Sequence, residues 1–207
     1  MKPSPVVTRE VVDRARSGDR DALAEMWRTY QPQILRFLRS CRSSSPDDVA
    51  SQVWVEVGRS LGRFDGDGRD FQRWIFTIAR RRDLDEGRRL ARRRESPSER
   101  IQDTAASADT AADETLPLDA AIELVASLPR QMAEAIMLRV VHDLDVGAAA
   151  QIMGVSEGNV RVLVHRGLTK LRARMVEQRP TSAIDRVVRT RGTGIRVAAT
   201  STEVSSG

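Results

Sequence analysis

The sequence predicts an all-α protein: two small helical domains joined by a flexible acidic linker, the second domain containing a helix-turn-helix. Apolar residues recur at helical spacing in both parts of the 207-residue chain. Residues 1–94 hold 21 basic and 14 acidic residues, whereas residues 95–118 hold one basic and six acidic residues. This uneven distribution of charge favours a module that binds a polyanion, followed by a separate linker.

These patterns divide the chain at three positions. We expect a first helical domain over residues 8–94, followed by a small, polar and acidic linker over residues 95–116. A second helical domain over residues 117–176 precedes a tail over residues 177–207 that is rich in Ser, Thr, Val and Arg. The linker and the tail both have the composition of disordered chain.

Composition also limits the kinds of function to consider. The single cysteine, Cys41, cannot form an intramolecular disulfide and has no neighbours for a zinc site, so a reducing cytoplasm is expected. The first ten residues lack the apolar run of a signal peptide or a membrane span. The turn Asp65–Gly68 fails as a calcium loop, because Asp70 and Phe76 stand where Gly and a bidentate Glu are needed. We therefore predict no metal, no cofactor and no catalytic residue.

The first long helix is predicted by an apolar face on residues 22–38. Either Asp19 or Asp21 can accept a backbone hydrogen bond at its start. The apolar face comprises Ala22, Leu23, Met26, Trp27, Tyr30, Ile34, Leu35 and Leu38. We interpret Trp27, Trp54 and Trp74 as core residues rather than platforms for base stacking.

A second helix has a clear start signal. Ser45 can cap it, Pro46 suits its first turn, and Asp47 and Asp48 favour the positive end of the helix dipole. The buried stripe of this helix comprises Val49, Val53, Val57 and Leu61.

The turn Arg63–Asp70 leads to a third helix with an arginine-dense surface. Its inward residues are Phe71, Trp74, Ile75 and Ile78. The arginines are Arg80, Arg81, Arg82, Arg88, Arg89, Arg92, Arg93 and Arg94. Such a run is often only a solvated helix face, but here it is followed by a second motif suited to DNA. We therefore interpret it as a phosphate-binding surface.

That second motif is a helix-turn-helix over Leu144–Leu171. Asp145 can cap its first helix, Gly154 supplies the permissive backbone of the turn, and Ser156 can cap its second helix. Residues predicted to face inward on the second helix are Val160, Leu163, Val164, Leu168 and Leu171. The opposite face carries Glu157, Asn159, Arg161, His165 and Arg166, and Asn and Arg are residue types that read base edges in the major groove. The alternative is an ordinary helical hairpin with a solvated basic face.

Four passages, in this order and spacing, resemble those of bacterial sigma factors of the extracytoplasmic-function (ECF) group. They are SGDRDAL, PDDVASQVWVEV, FQRWIFTIARRRDLDEGRR and LPRQMAEAIMLRVVHDLDVGAAAQIMGVSEGNVRVLVHRGLTKLR. The resemblance covers roughly residues 8–176. Other helix-turn-helix regulators share only the last passage.

The resemblance implies three sets of binding residues. Docking on core RNA polymerase would involve Asp47, Asp48, Gln52, Trp54 and Glu56. Recognition and melting of the minus-ten element would involve Arg63, Asp65, Trp74, Arg80, Arg81, Arg82, Arg88 and Arg89. Recognition of the minus-thirty-five element would involve Ser156, Glu157, Asn159, Arg161, Val162, His165 and Arg166.

The resemblance also implies the partners. These are the clamp helices of the largest polymerase subunit, the flap of the second-largest subunit, promoter DNA and an anti-sigma factor. The linker would thread the polymerase channels, although a simple solvated tether fits its composition equally well. This chain departs from the family pattern at Ser51, Arg81, Ala148, Asn159 and Leu163, so its promoter sequence cannot be taken from relatives.

Two other classes of protein remain open at this stage. A free-standing helix-turn-helix repressor or activator would use the second domain without joining polymerase, and it leaves the first domain unexplained. An anti-sigma factor or adaptor that binds only protein conflicts with two basic surfaces.

Overall fold

The computed structural model describes residues 4–95 and 116–177, and these form helices and connecting turns without a strand. The first four helices are α1 (Arg9–Arg16), α2 (Arg20–Ser40), α3 (Pro46–Ser60) and α4 (Gly68–Glu95). The remaining helices are α5 (Leu116–Ala126), α6 (Arg130–Ile136), α7 (Val146–Met153) and α8 (Glu157–Glu177). The all-α prediction is confirmed. The predicted disorder of the linker and of the tail concerns residues that lie almost entirely outside the described ranges.

Local capping chemistry sets where the first helices begin. The carboxylate of Asp19 accepts hydrogen bonds from the backbone N–H groups of Asp21 and Ala22, so Asp19, not Asp21, caps α2. Ser45 precedes α3 as expected, but its side chain makes no capping hydrogen bond, and that detail of the prediction is wrong. The start of α3 depends instead on Pro46, whose fixed φ suits the first turn.

The turn before α4 is shorter than predicted. A 3₁₀ turn at Leu61–Arg63 follows α3, and α4 begins at Gly68 rather than near Phe71. The carboxylate of Asp67 explains the early start, because it accepts backbone hydrogen bonds from Arg69 (2.8 Å) and Asp70 (2.9 Å). These bonds lower the pKa of the Asp67 carboxyl.

The core of the first four helices is built around aromatic side chains. Tyr30 of α2 lies against Phe71 of α4 with ring centroids 5.2 Å apart, and Phe37 lies against Phe76 at 5.4 Å. The predicted buried stripe of α3 is confirmed, and so is most of the apolar face of α2. Helical spacing therefore located most of this core correctly.

The three tryptophans were all predicted to be core residues, and they differ in burial: Trp54 and Trp74 pack against the core and Trp27 does not. Trp27 is 51% exposed, so its assignment to the core is wrong. Trp54 is half-buried, and its indole N–H donates a hydrogen bond to Gln31 Oε1 at 2.7 Å. Trp74 is also half-buried. Trp27 lies at the edge of the α2 face, where helical spacing alone does not show whether another helix covers it.

The C-terminal helices pack against the N-terminal ones. Contacts join α5 and α6 to α2, and α7 to α4. A π-helical segment, Met137–Val141, extends α6 towards the helix-turn-helix. The described residues up to Leu171 form one compact unit. No helix in the described ranges has the length and apolar character needed to span a membrane.

Candidate nucleic-acid interface

The helix-turn-helix has the predicted local geometry. The Asp145 carboxylate accepts the Ala148 N–H at 2.8 Å and caps α7. Gly154 ends α7 in the left-handed conformation, with φ of 65°, which a glycine adopts without strain. Ser156 Oγ accepts the Asn159 N–H at 3.3 Å at the start of α8. Short-range chemistry alone thus fixes the turn between the two helices.

The two faces of α8 separate as the sequence predicts. Val160, Leu163 and Leu171 are buried, and Val164 and Leu168 are half-buried against the core. The seven residues predicted to read the upstream element are all exposed: Ser156, Glu157, Asn159, Arg161, Val162, His165 and Arg166. This exposed face is polar, and its N-terminal part carries the residue types that can contact base edges.

One ion pair orders this exposed face. Arg161 donates to the Glu157 carboxylate at 2.8 Å, one turn away along α8. Both side chains are more than half exposed, so the pair contributes little to stability. Arg161 can therefore exchange Glu157 for a DNA group at small cost.

The loop before α4 places an aromatic surface beside exposed charges. Phe64 stacks on Trp74 with ring centroids 5.0 Å apart and 19° between the planes. Arg63 and Asp65 are exposed, and the nearest cation to the Asp65 carboxylate is Arg16 at 3.8 Å. The three residues predicted from this segment therefore lie on one short stretch of surface around the loop.

The five α4 arginines predicted to bind the minus-ten element are each paired with a carboxylate: Arg80, Arg81, Arg82, Arg88 and Arg89. Arg88 contacts Asp85 at 3.1 Å, and both side chains are exposed. Arg89 makes two 2.8 Å hydrogen bonds to Glu86, whose side chain is 8% exposed. Sequence inspection treated these arginines as available charges. In the structure Arg88 and Arg89 each instead contact a carboxylate three residues earlier on α4, and only that of Glu86 is buried.

Arg81 and Arg82 share a carboxylate on α3. Both donate to Glu56, and the Nε of Arg82 lies 2.9 Å from Glu56 Oε2. Burial alone would raise the pKa of the Glu56 carboxyl, but the two guanidinium groups outweigh that effect and the pKa is lowered. Glu56 was predicted to bind polymerase, whereas the two arginines were predicted to bind DNA. The structure brings these two predicted sets into direct contact.

The other predicted docking residues lie on the same helix. Asp47, Asp48 and Gln52 are exposed on α3, and Trp54 is half-buried. Gln52 also lines a shallow cleft of about 400 Å³ between α3 and α4, together with Arg82, Asp85, Glu86, Arg89 and Arg92.

Sequence reasoning missed a buried charge network around Arg80. The Nε of Arg80 lies 3.1 Å from Glu134 Oε2, and Arg130 contacts both Glu134 and Asp83. The side chains of Asp83 and Glu134 are 3% and 1% exposed. No local signal could reveal the partners, because they lie 47 and 54 positions apart in the sequence.

Two family descriptions match the chain. "Sigma-70 region 2" matches residues 26–94, and "Sigma-70, region 4" matches residues 118–171. The first match includes α3, the loop and nearly all of α4, and the second includes the helix-turn-helix.

Curated relatives give the same family. The chain is 34% identical to the ECF RNA polymerase sigma factor SigD of Mycobacterium tuberculosis, and the alignment covers 80% of this chain and 82% of that one. It is 34% identical to the ECF sigma factor ShbA of Streptomyces griseus over 79% and 92% of the two chains. It is 29% identical to BldN of Streptomyces coelicolor over 78% of this chain, but the match spans only 63% of that relative.

Solved structures share the fold. A sigma factor RpoE from Bartonella quintana, in complex with the anti-sigma factor NepR, matches with a TM-score of 0.59 at 21% identity, over 76% of this chain and 98% of that one. CnrH, in complex with the cytosolic domain of CnrY, matches with a TM-score of 0.55 at 22% identity, over 82% and 97%. From the matches to both sigma-70 regions and to curated relatives, we conclude that the chain belongs to the ECF sigma factors of bacterial RNA polymerase.

Proposed function

We propose that this chain binds core RNA polymerase and directs it to promoters, with α8 reading the minus-thirty-five element and the α4 region opening the minus-ten element. The observation that carries this proposal is the exposed face of α8, presented by a capped helix-turn-helix. A free-standing repressor or activator would also use that face. It would not account for the match of residues 26–94 to sigma-70 region 2.

On α8 the residues nearest the N-terminus are assigned to base contacts. Asn159 can pair with adenine, and Arg161 can bind guanine through two parallel hydrogen bonds. The N-terminal part of a recognition helix reaches base edges, while residues further along contact the backbone. We assign His165 and Arg166, two turns beyond Ser156 and Glu157, to the phosphate side, with Val162 between the two groups.

On the N-terminal helices, the loop and α4 are assigned to the minus-ten element. The Phe64–Trp74 stack beside Arg63 and Asp65 offers a surface for a base extruded from the duplex. Extrusion costs a few kcal/mol of lost stacking, which contacts in such a pocket offset. Five further arginines would then hold the separated strands by their phosphates: Arg80, Arg81, Arg82, Arg88 and Arg89.

The α3 surface is assigned to polymerase. Its exposed carboxylates Asp47 and Asp48, with Gln52, Trp54 and Glu56, would meet the clamp helices of the largest subunit. Residues 117–176 would meet the flap of the second-largest subunit. In this arrangement residues 8–94 and 117–176 act as separate domains on the linker of residues 95–116.

The chain needs no chemistry of its own for this role, because polymerase forms the phosphodiester bonds. We place it in the cytoplasm, where polymerase and DNA lie. We also propose an anti-sigma partner, supported by fold neighbours that were solved in complex with such proteins or with a cytosolic domain.

Run-off transcription tests the proposal directly. Core polymerase, purified chain and a library of the host's upstream regions are combined, and the transcript starts are sequenced. We expect discrete starts that require the chain and share two motifs at a fixed spacing. Specific DNA binding by the chain alone, without any such starts, would favour the free-standing regulator instead.

A further inference from the structure

A linear network of four buried or half-buried charges joins α4 to α6. Along the network the order is Asp83, Arg130, Glu134 and Arg80, so that negative and positive charges alternate and sum to zero. Arg130 Nε donates to Glu134 Oε1 at 2.9 Å, and Arg80 Nε donates to the other oxygen at 3.1 Å. Every charge in the network therefore has an opposite charge in contact.

The network connects the two sigma-factor regions. Arg80 and Asp83 lie within the region 2 match, while Arg130 and Glu134 lie within the region 4 match. Arg130 and Glu134 pair with each other within region 4, whereas the contacts of Asp83 and Arg80 in the network cross from region 2 to region 4. Separating the two regions would break both the Arg80–Glu134 and the Asp83–Arg130 contacts.

A second set of polar contacts lies at the same junction. Gln72 Nε2 donates to the backbone carbonyl of His142 at 3.0 Å, and Ser4 Oγ donates to that of Val141 at 2.7 Å. Two buried atoms here, Gln72 Oε1 and His142 Nε2, have no hydrogen-bond partner in the structure. Buried polar atoms without partners are unfavourable, and water would satisfy both of them after the regions separate.

Such a junction is suited to opening. A buried charge network gains little net stability, because charge attraction inside the protein only balances the loss of hydration. After separation all four charges regain water, and this hydration offsets part of the cost of exposing the apolar contacts at the same junction, such as Phe76 against His142. The charge network thus favours one specific geometry while adding little of its own to the cost of separating the regions.

From this arrangement, and resting on the proposed function, we propose that the Asp83–Arg130–Glu134–Arg80 network is an intramolecular latch. In the free chain the latch keeps regions 2 and 4 together and holds Arg80 on Glu134, away from DNA. Engagement of polymerase and promoter separates the regions and releases Arg80. The chain itself, and not only a partner protein, then limits DNA binding by the free factor.

Energy transfer between two dyes tests the latch. The dyes are attached to cysteines introduced at two exposed positions, Glu25→Cys in α2 and Thr169→Cys in α8. The native Cys41 reacts slowly with such dyes, because it is buried and burial raises the pKa of its thiol. Asp83→Asn and Glu134→Gln each remove one negative charge of the latch. We expect both to lower energy transfer in the free full-length chain and to raise its affinity for a promoter duplex by about tenfold, a typical coupling between two sites.

Asp19→Asn is the matched control. It also removes one negative charge and one ion pair, but Asp19 and its partner Arg14 both lie at the N-terminal helices, so every contact between the regions is kept. Circular dichroism melting establishes whether each variant is folded. Because the two substitutions lie on different helices, the test remains possible if one of the two variants does not fold. Folded Asp83→Asn and Glu134→Gln chains with unchanged energy transfer would overturn the latch. Opening without any gain in DNA affinity would also overturn it.

The same proteins separate this proposal from the proposed function. Wild-type chain that yields no promoter-dependent transcripts with core polymerase contradicts the sigma role, whatever the energy transfer shows. The latch alone is contradicted if the wild-type chain yields transcripts and the latch variants behave like Asp19→Asn in both assays.

Discussion

The imidazole of His142 lies against the ring of Phe76, with ring centroids 4.3 Å apart and 34° between their planes. His142 follows the π-helical segment of the C-terminal region, whereas Phe76 belongs to α4. Burial and, to a smaller extent, the nearby positive charge of Arg36 lower the pKa of His142 from 6.5 to about 3. His142 is therefore neutral in the folded chain at every pH where the protein would work.

This contact makes stability depend on pH. Below pH 6.5 the unfolded chain takes up a proton at His142 that the folded chain does not bind, so the free energy of unfolding falls as pH decreases from 6.5 towards 3. The slope approaches about 1.4 kcal/mol per pH unit for one proton. Urea unfolding at pH 7.0, 6.0 and 5.0 measures this slope, because these pH values lie above the range in which most carboxylates titrate.

Two histidine variants separate this effect from other titrations. His142→Gln should flatten the slope between pH 7 and pH 5, although it also lowers stability at every pH. His165→Gln is the control for the loss of a histidine, because the His165 side chain is exposed on α8. A slope that persists in His142→Gln would contradict the assignment.

Gly68 is a position where any side chain would disturb the N-terminal region. A Cβ at Gly68 would lie 1.7 Å from the backbone carbonyl oxygen of Val7, and the Gly68 carbonyl already accepts a hydrogen bond from Tyr30 Oη at 3.2 Å. We expect Gly68→Ala to lower the free energy of unfolding by about 1–3 kcal/mol, the usual range for overpacking.

Gly58→Ala is the matched control for this glycine. Gly58 lies within α3, and a Cβ added there would have no atom of another side chain or element within 4 Å. We expect it to raise the free energy of unfolding by about 0.5–1 kcal/mol, because alanine favours a helix more than glycine does. Equal effects of the two substitutions in urea unfolding would show that the close approach to Val7 is not rigid.

The sequence was most informative where structure depends on neighbouring residues. The helix-turn-helix could be predicted in detail, because its caps and turn depend on residues no more than four positions apart. These residues are Asp145, Gly154 and Ser156. The buried and exposed faces of α8 follow from helical spacing in the same way.

Contacts between distant residues could not be predicted. The Arg80–Glu134 and Arg82–Glu56 pairs depend on how helices pack, and no spacing rule relates positions 54 and 26 apart. Trp27 shows the same limitation for burial. Its helical face is apolar, but exposure depends on whether a second helix covers that part of the face.

The pairing of the α4 arginines changes how their roles should be tested. Arg88→Ala removes an exposed pair with Asp85, so we expect the free energy of unfolding to change by no more than about 0.5 kcal/mol. Arg80→Ala leaves the buried Glu134 with one partner fewer, and we expect the free energy of unfolding to fall by about 1–3 kcal/mol. Urea unfolding of both variants measures these values.

Arg88→Ala is therefore the cleaner probe of phosphate contact. In complexes of polymerase, chain and promoter, we expect it to reduce the slope of log affinity against log salt by about 1 while leaving polymerase binding unchanged. An unchanged slope would place Arg88 outside the DNA interface. Loss of polymerase binding would instead show that this part of α4 serves docking.

Arg161 offers the sharpest test of specificity on α8. Its partner Glu157 is exposed, so Arg161→Ala should alter the fold little, yet we expect it to cost about 1–3 kcal/mol of promoter affinity if the guanidinium contacts a base. Lys170→Ala, an exposed cation further along α8, is the control for a general loss of charge. Competition between promoters that differ at single upstream positions measures the effect. A preference relaxed at one position identifies a base contact. Uniform weakening at all positions, as expected for Lys170→Ala, would assign Arg161 to a phosphate.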